Sequence, residues 1–238
     1  LAHERASSLG RLPHKLDERD YLLRDTPRFE AAQRDKLESV VWWSMAGHGM
    51  RIDQGQEGTC VGHGCTNVLM AGPVTHPHFA AFDSPSDAHL FARQLYFDAT
   101  GDSTYQQGAY TRDALNVLVK RGQIASYHAL RSVSEIVTTL QSIGPVTFGS
   151  DWYESMFTPH TQYENSYLKV DKSSGLAGGH LYSLTGVDLS PIHGGPEFVR
   201  MENSWGPGWG HDGTARITLD DLAVLFDGDC FFLAEQAF

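Results

Sequence analysis

A chain of 238 residues, 41% hydrophobic and 20% charged, can bury a sizeable core, either as one large domain or as two lobes sharing an interface. Its formal net charge of −11 reads as a solvated acidic surface and argues against a nucleic-acid partner, which would need clustered Lys and Arg. The longest apolar runs, LAVLF at 222–226 and FFLA at 231–234, fall well short of the roughly 18 residues of a membrane span, so a soluble protein is expected.

Residues 1–25 are charged and aperiodic and read as an arm lying over the body or as a partly ordered leader. LAHERASSLG lacks the apolar core of a secretory signal, and the chain starts with Leu, so its start is either trimmed or preceded by further residues. Thr26 and Pro27 form a cap and first-turn proline for a helix to about Ser39, so 1–39 is taken as an N-terminal arm and helix. Gly47, Gly49, Gly55 and Gly58 suit an extended segment over 40–59 that feeds a tight turn. Cys60 then starts a helix to about Met70, which Gly72 and Pro73 end. The segment 72–87 carries three prolines and reads as a loop. A second helix runs from near Pro85 to Gly101. A third spans Thr111 to Arg121, with Thr111 as cap and Gly122 as stop. Ser132 and Glu135 match a capping box and open a fourth, through Gln141.

After residue 144 the pattern turns to β: PVTFG at 145–149, HLYSLTGV at 180–187, EFVRMEN at 197–203 and GTARITL at 213–219. Helices first and strands second imply an α+β fold with a helical lobe at about 50–130 and a β-rich lobe at about 131–238.

Candidate chemistry sits in DQGQEGTC at 53–60, GGH at 178–180 and ENSWG at 202–206. Thiol acyl transfer needs a nucleophile, a base, a group to orient the base and an oxyanion donor; Cys60, His180, Asn203 and Gln54 supply one of each. At the start of a helix, backbone N–H groups and the dipole favour a thiolate, so the Cys60 pKa is expected to fall. Gly58 lets the backbone approach a substrate carbonyl, and Trp205 is placed to cover the His180–Asn203 bond. Gly179 leaves one wall of the cleft open, and Gly108 and Tyr110 are candidates for the opposite wall. The pattern points to a cysteine peptidase acting on peptides or proteins, without cofactor or metal.

The same residues carry a resemblance. VVWWSMAGHGMRIDQGQEGTC at 40–60, GAYTRDALNVLVKRG at 108–122, LQSIGPVTFG at 140–149, GGHLYSLTGV at 178–187 and VRMENSWGPGWGHDGTARI at 199–217 resemble the papain/cathepsin cysteine peptidases, in a divergent form of bacterial or viral type. The resemblance implies a papain-like fold over 40–238, with a cleft between a helical and a β-barrel-like lobe. It also implies peptide-bond hydrolysis through a thioester on Cys60, with Gln54, Cys60, His180 and Asn203 in their motif positions. Glu57 and Val61 stand where the family carries a cysteine and an aromatic, so a family disulfide is absent and packing beside the nucleophile is altered. No long inhibitory propeptide is recognisable before residue 40, which leaves LPHKLDERDYLLRD, 12–25, as the segment that could occlude the cleft. The plainer expectation is that its Tyr21, Leu22 and Leu23 brace the back of the lobes.

Other readings of these residues stay open. An acyltransferase, deamidase or transglutaminase-type enzyme would share the thioester, and a catalytically silent peptide-binding module would share the fold. Cys65 lies five residues along the helix from Cys60, faces away from it and reads as core packing. Cys60, His63 and Cys65 cannot all face one ion, and His76 and His78 flank Pro77 in a solvated loop. Trp205 and Trp209 could equally be core aromatics. Three cysteines are too few for a disulfide framework, and their odd number leaves at least one thiol free. That count favours a reducing compartment, cytoplasmic or virion-associated, over a secretory one.

Overall fold

The structure is a computed structural model that describes residues 8–34, 38–43, 50–71, 82–162, 165–190 and 195–235. Gly47, Gly49, Gly72, Pro73, His76, Pro77 and His78 lie outside the described residues.

The first helix, α1, runs Pro27–Arg34, and Thr26 Oγ1 accepts the Phe29 N–H at 3.3 Å, the cap expected there. β1, Val40–Trp42, precedes the turn into α2, Cys60–Met70, whose residues are all buried. Two glycines allow that burial. A Cβ on Gly62 would stand 2.1 Å from the Ala92 carbonyl oxygen, and one on Gly64 would stand 3.1 Å from Leu181. Bare backbone thus lets α2 wedge between α3, Pro85–Thr100, and the sheet. Ser84 caps α3 by accepting the Asp87 N–H, and Gly101 ends it in the left-handed conformation at φ 71°.

α4 runs Thr111–Lys120, with Tyr110 and not Thr111 in the cap position. The Thr111 hydroxyl is drawn elsewhere, to the Asp229 carboxylate at 2.9 Å. In α5, Val133–Ser142, Ser132 Oγ accepts the Glu135 N–H at 3.1 Å. The reciprocal half of the expected box is shifted by one residue, because Glu135 accepts from the Arg131 N–H.

The strands that follow are β2 (Ser126–Ala129), β3 (Val146–Tyr153), β4 (His160–Gln162), β5 (Asn165–Tyr167), β6 (Leu176–Asp188), β7 (Phe198–Glu202), β8 (Thr214–Thr218) and β9 (Cys230–Ala234). They form one sheet in the order β2-β9-β3-β6-β7-β8-β5-β4, with β1 also paired to β6. Among the described residues β2 pairs with no strand but β9, its Ala129 also bridging Leu22 of the N-terminal segment, and β4 with no strand but β5, so the sheet is open and the barrel-like closure expected from the resemblance is not formed. The fold is α+β.

Two apolar cores flank this sheet. One is built from α2, α3 and α4 with Leu181, Phe231 and Leu233; the other packs α1, α5 and α6 (Leu219–Leu225) on Val146, Phe148, Trp152, Tyr182 and Val199. Strand β6 contributes to both, Leu181 to the first and Tyr182 to the second, as alternation along a strand requires. His180 sits on that strand beside α2. No helix among the described residues is long and apolar enough to cross a membrane.

Candidate active site

Cys60 is the first residue of α2, and it is buried. The backbone N–H groups of Leu181, Gly10 and Val61 lie close enough to its sulfur to favour the thiolate, so the thiol lies beside the peptide unit that follows His180. His180 pairs with Ser150 across β3 and β6, and its ring is walled by Trp152 in an edge contact at 4.9 Å and by Trp205 at 4.9 Å. His180 Nε2 lies 2.8 Å from Asn203 Oδ1. That oxygen also accepts the Ser204 N–H at 2.8 Å, which fixes it as the acceptor end of the amide. Nε2 therefore carries the hydrogen, and Nδ1, which has no partner among the described residues, holds the lone pair.

Gln54 is set by the same tripeptide. Its N–H donates to Ser204 O at 2.9 Å, and the Ser204 hydroxyl donates to Gln54 Oε1. The amide NH2 is thereby turned away, toward Glu57 O at 2.7 Å and Ser8 O at 2.8 Å. Asn67 of α2 ties in the last member by donating to Asn203 O at 3.3 Å. Ser204 and Trp152 thus belong to the site and were not singled out from sequence. The serine in ENSWG was an available signal, whereas Trp152 meets His180 only through strand register.

The cleft is filled by the chain's own arm. Residues 8–12 lie in it, Arg11 forming an isolated bridge with Ala109: the Arg11 N–H donates to Gly179 O at 3.0 Å, the Ala109 N–H to Gly10 O at 2.8 Å and the Leu12 N–H to Ala109 O at 2.9 Å. Glycines on both chains make room for this. A Cβ on Gly10 would lie 1.9 Å from Gly58 O, one on Gly179 2.3 Å from Arg11 O, and one on Gly108 2.7 Å from Gly10 O. Tyr110 stands further along the arm, with Lys15 Nζ 4.5 Å from its ring centroid.

The segment that enters the cleft is thus 8–12, ahead of most of the stretch expected there. Residues beyond it brace the body: Leu23 is fully buried and Asp20 pairs with Arg112 and Arg131, while Tyr21, expected to bury, is 73% exposed.

Burial under the arm reverses the expected electrostatics. Desolvation pushes the Cys60 thiol up to about 11 against the pull of the Leu181 and Gly10 N–H groups and the Arg11 charge. Desolvation likewise pushes His180 down to about 4 against its bond to Asn203. The helix N-terminus does not win here, because the arm excludes the water that would solvate a thiolate. Cys65 is buried in the core of α2, and burial raises its thiol further. His63 turns away from both cysteines to Thr59 O and His89 Nδ1, each at 3.0 Å, and no three His, Cys, Asp or Glu side chains among the described residues gather as a metal site would need. Glu57 pairs with Arg93 at 2.9 Å.

The fold and this arrangement define a class. Residues 84–226 match the family described as papain family cysteine protease, a span that includes His180 and Asn203. The chain belongs to that family and is a cysteine peptidase, a hydrolase whose substrates are peptides or proteins. Among solved structures it is similar to xylellain, a cysteine protease from Xylella fastidiosa, at 17% identity over 98% of each chain with a TM-score of 0.69. It is also similar to proCathepsin B S9 from Trypanosoma congolense, at 14% identity over 100% of this chain and 89% of that one with a TM-score of 0.71. Digestive procathepsin L 3 of Tenebrio molitor larval midgut aligns at 14% identity over 98% and 77% with a TM-score of 0.63. At these identities the likeness is one of fold. Comparison with curated protein sequences gives no match.

Proposed function

We propose that Cys60 is the nucleophile of this peptidase, His180 its base and acid, Asn203 the residue that orients His180, and Gln54 a donor to the oxyanion. We take residues 1–39 as the arm and its helix, and 40–238 as the peptidase body. The observation that carries the reading is the His180–Asn203 bond, whose direction leaves Nδ1 as the basic nitrogen.

In the reaction, Nδ1 takes the thiol proton as Cys60 Sγ adds to the carbonyl carbon and the carbonyl electron pair moves onto oxygen. The Gln54 amide and the Cys60 N–H stabilise that oxygen. A carbonyl oxygen, that of Ser8, already occupies the Gln54 donor, which supports the assignment. Collapse expels the amine, to which His180 returns the proton, and a thioester remains on Cys60. Water then attacks the thioester, giving its proton to the same nitrogen, and collapse breaks the C–S bond, releasing the carboxylic acid product and Cys60 Sγ, which takes the proton back from His180. Gly58, Gly108, Gly179, Tyr110 and Trp205 shape the path of the substrate, which enters once residues 8–12 have left.

The test is mass-spectrometric mapping of an irreversible thiol reagent. Modification of Cys60 is expected to abolish peptide hydrolysis, and Cys65→Ala to retain it. Loss of activity on labelling of Cys65 or Cys230, with Cys60 untouched, would overturn the assignment.

A further inference from the structure

Among the described residues of the arm, Arg11 sends a charged side chain into the cleft wall. Arg11 Nε donates to Asp229 Oδ2 at 2.7 Å and its Nη2 donates to Asp227, with the Arg11 side chain only 1% exposed. Asp229 is itself 2% exposed. The Thr111 hydroxyl donates to the same Oδ2, and His14 Nδ1, also on the arm, faces Oδ1 at 3.6 Å. Gly149 closes the pocket with bare backbone. A Cβ there would lie 2.4 Å from Asp229 Oδ2 and 2.5 Å from Arg11 Nε, so a side chain at 149 would exclude the guanidinium. Asp227, Asp229, Thr111 and Gly149 all belong to the body, and Arg11 and His14 to the arm.

We propose that this pocket is a substrate subsite selective for arginine, and that Asp227 and Asp229 are the residues that set the selectivity. The proposal rests on the cleft assignment above. A substrate strand lying between the same walls finds the same backbone partners, Gly179 O and the N–H and C=O of Ala109, and the residue that takes the place of Arg11 directs its side chain into the same pocket. The register follows from the neighbouring residue: Gly10 packs directly on Gly58 O, two residues ahead of Cys60, so the selected position lies within about two residues of the scissile bond.

Charge gives the second argument. When the arm withdraws, Asp229 loses both Arg11 and His14, and two carboxylates, Asp227 and Asp229, are left side by side in the vacated pocket with the Thr111 hydroxyl as the remaining side-chain donor to Asp229. An incoming guanidinium restores the pair. Arginine suits the site better than lysine because its fork reaches two carboxylates from two different nitrogens, where an ammonium is a point charge.

Paired peptides that differ only in arginine or its uncharged isostere citrulline, at each position within two residues of the cut, read the pocket directly. With the full chain, kcat/KM is expected to favour arginine about 10- to 100-fold at one position. Asp229→Asn and Asp227→Asn should each pull the ratio toward unity; Asp227, at 37% side-chain exposure, serves if the Asp229 variant does not fold. The same peptide pairs as thiol-alkylating reagents give a readout without turnover. Equal labelling of Cys60 by both reagents, or a ratio unmoved by the variants, would refute the subsite and leave the catalytic assignment standing. Labelling of a cysteine other than Cys60 would overturn both.

Discussion

Which nitrogen of His180 acts as base turns on the Ser204 amide. By donating to Asn203 Oδ1, it makes that atom an acceptor and leaves Nε2–H no alternative role. Asn203→Ala frees the ring without removing it, so a drop smaller than that of Gln54→Ala is expected in kcat. Gln54→Ala removes a donor that acts in the transition state, and should cost on the order of 10²–10³ in kcat with KM little changed. Single-turnover rates for the two variants test the order, and near wild-type chemistry in Gln54→Ala would count against the oxyanion role. The residue types for this chemistry were legible because Gln54, Cys60, His180 and Asn203 sit in short motifs. Ser204 and Trp152 were not, since the first acts on Asn203 through its backbone N–H and the second is 28 positions from His180, brought to it only because β3 and β6 pair with Ser150 opposite His180.

At the scale of elements the arm is the decisive feature, and it predicts a gain of function. Gly10→Val places a branched side chain where even a Cβ would lie 1.9 Å from Gly58 O, so residues 8–12 cannot stay seated. The bracing contacts of Leu23, Asp20 and α1 are untouched. Peptidase activity is therefore expected to rise several-fold or more, with the fold retained in a melting curve. Cys60 alkylation should also change character. In the intact chain it is slow at neutral pH and climbs as pH approaches about 11, whereas in Gly10→Val it is already fast near neutrality. Equal alkylation profiles for the two proteins would show that the arm does not set the reactivity of the thiol. Sequence placed α3 and the start of α5 because Pro85, Gly101 and Ser132 are local signals. It placed the blocking piece too late in the arm, because a segment held by backbone bonds to Gly179 and Ala109 needs no apolar pattern of its own. The pairing of Arg11 with Asp229, 218 residues apart, leaves no local trace either.

For the whole molecule, burial of neutral titratable groups sets a stability window whose edges follow from sign alone. His180 is pushed down to about 4 and His63 to about 3, desolvation leading in both. The unfolded chain takes up these protons from about pH 6.5 downward, while the folded chain takes them up only near those lower values. Between them the unfolded state binds more protons, and stability falls as pH drops. Asp229 continues the trend: its burial is outweighed by the neighbouring His14 and by Arg11, so its carboxyl is held below the usual aspartate value and its contribution is lost further into acid. On the alkaline side Cys60, Cys65, Cys230 and Tyr182 are all raised by burial, so the unfolded chain loses these protons first and stability falls above about pH 9. Denaturant titrations at constant ionic strength should therefore show highest stability between about pH 6.5 and 9, with a decline already evident at pH 5. His63→Phe separates this account from a general effect of net charge, because it removes one buried imidazole remote from the catalytic bond and should flatten the decline between pH 6.5 and 4. A wild-type curve level down to pH 4.5, or a His63→Phe slope equal to wild type, would mean that these histidines are not buried neutral in the folded protein.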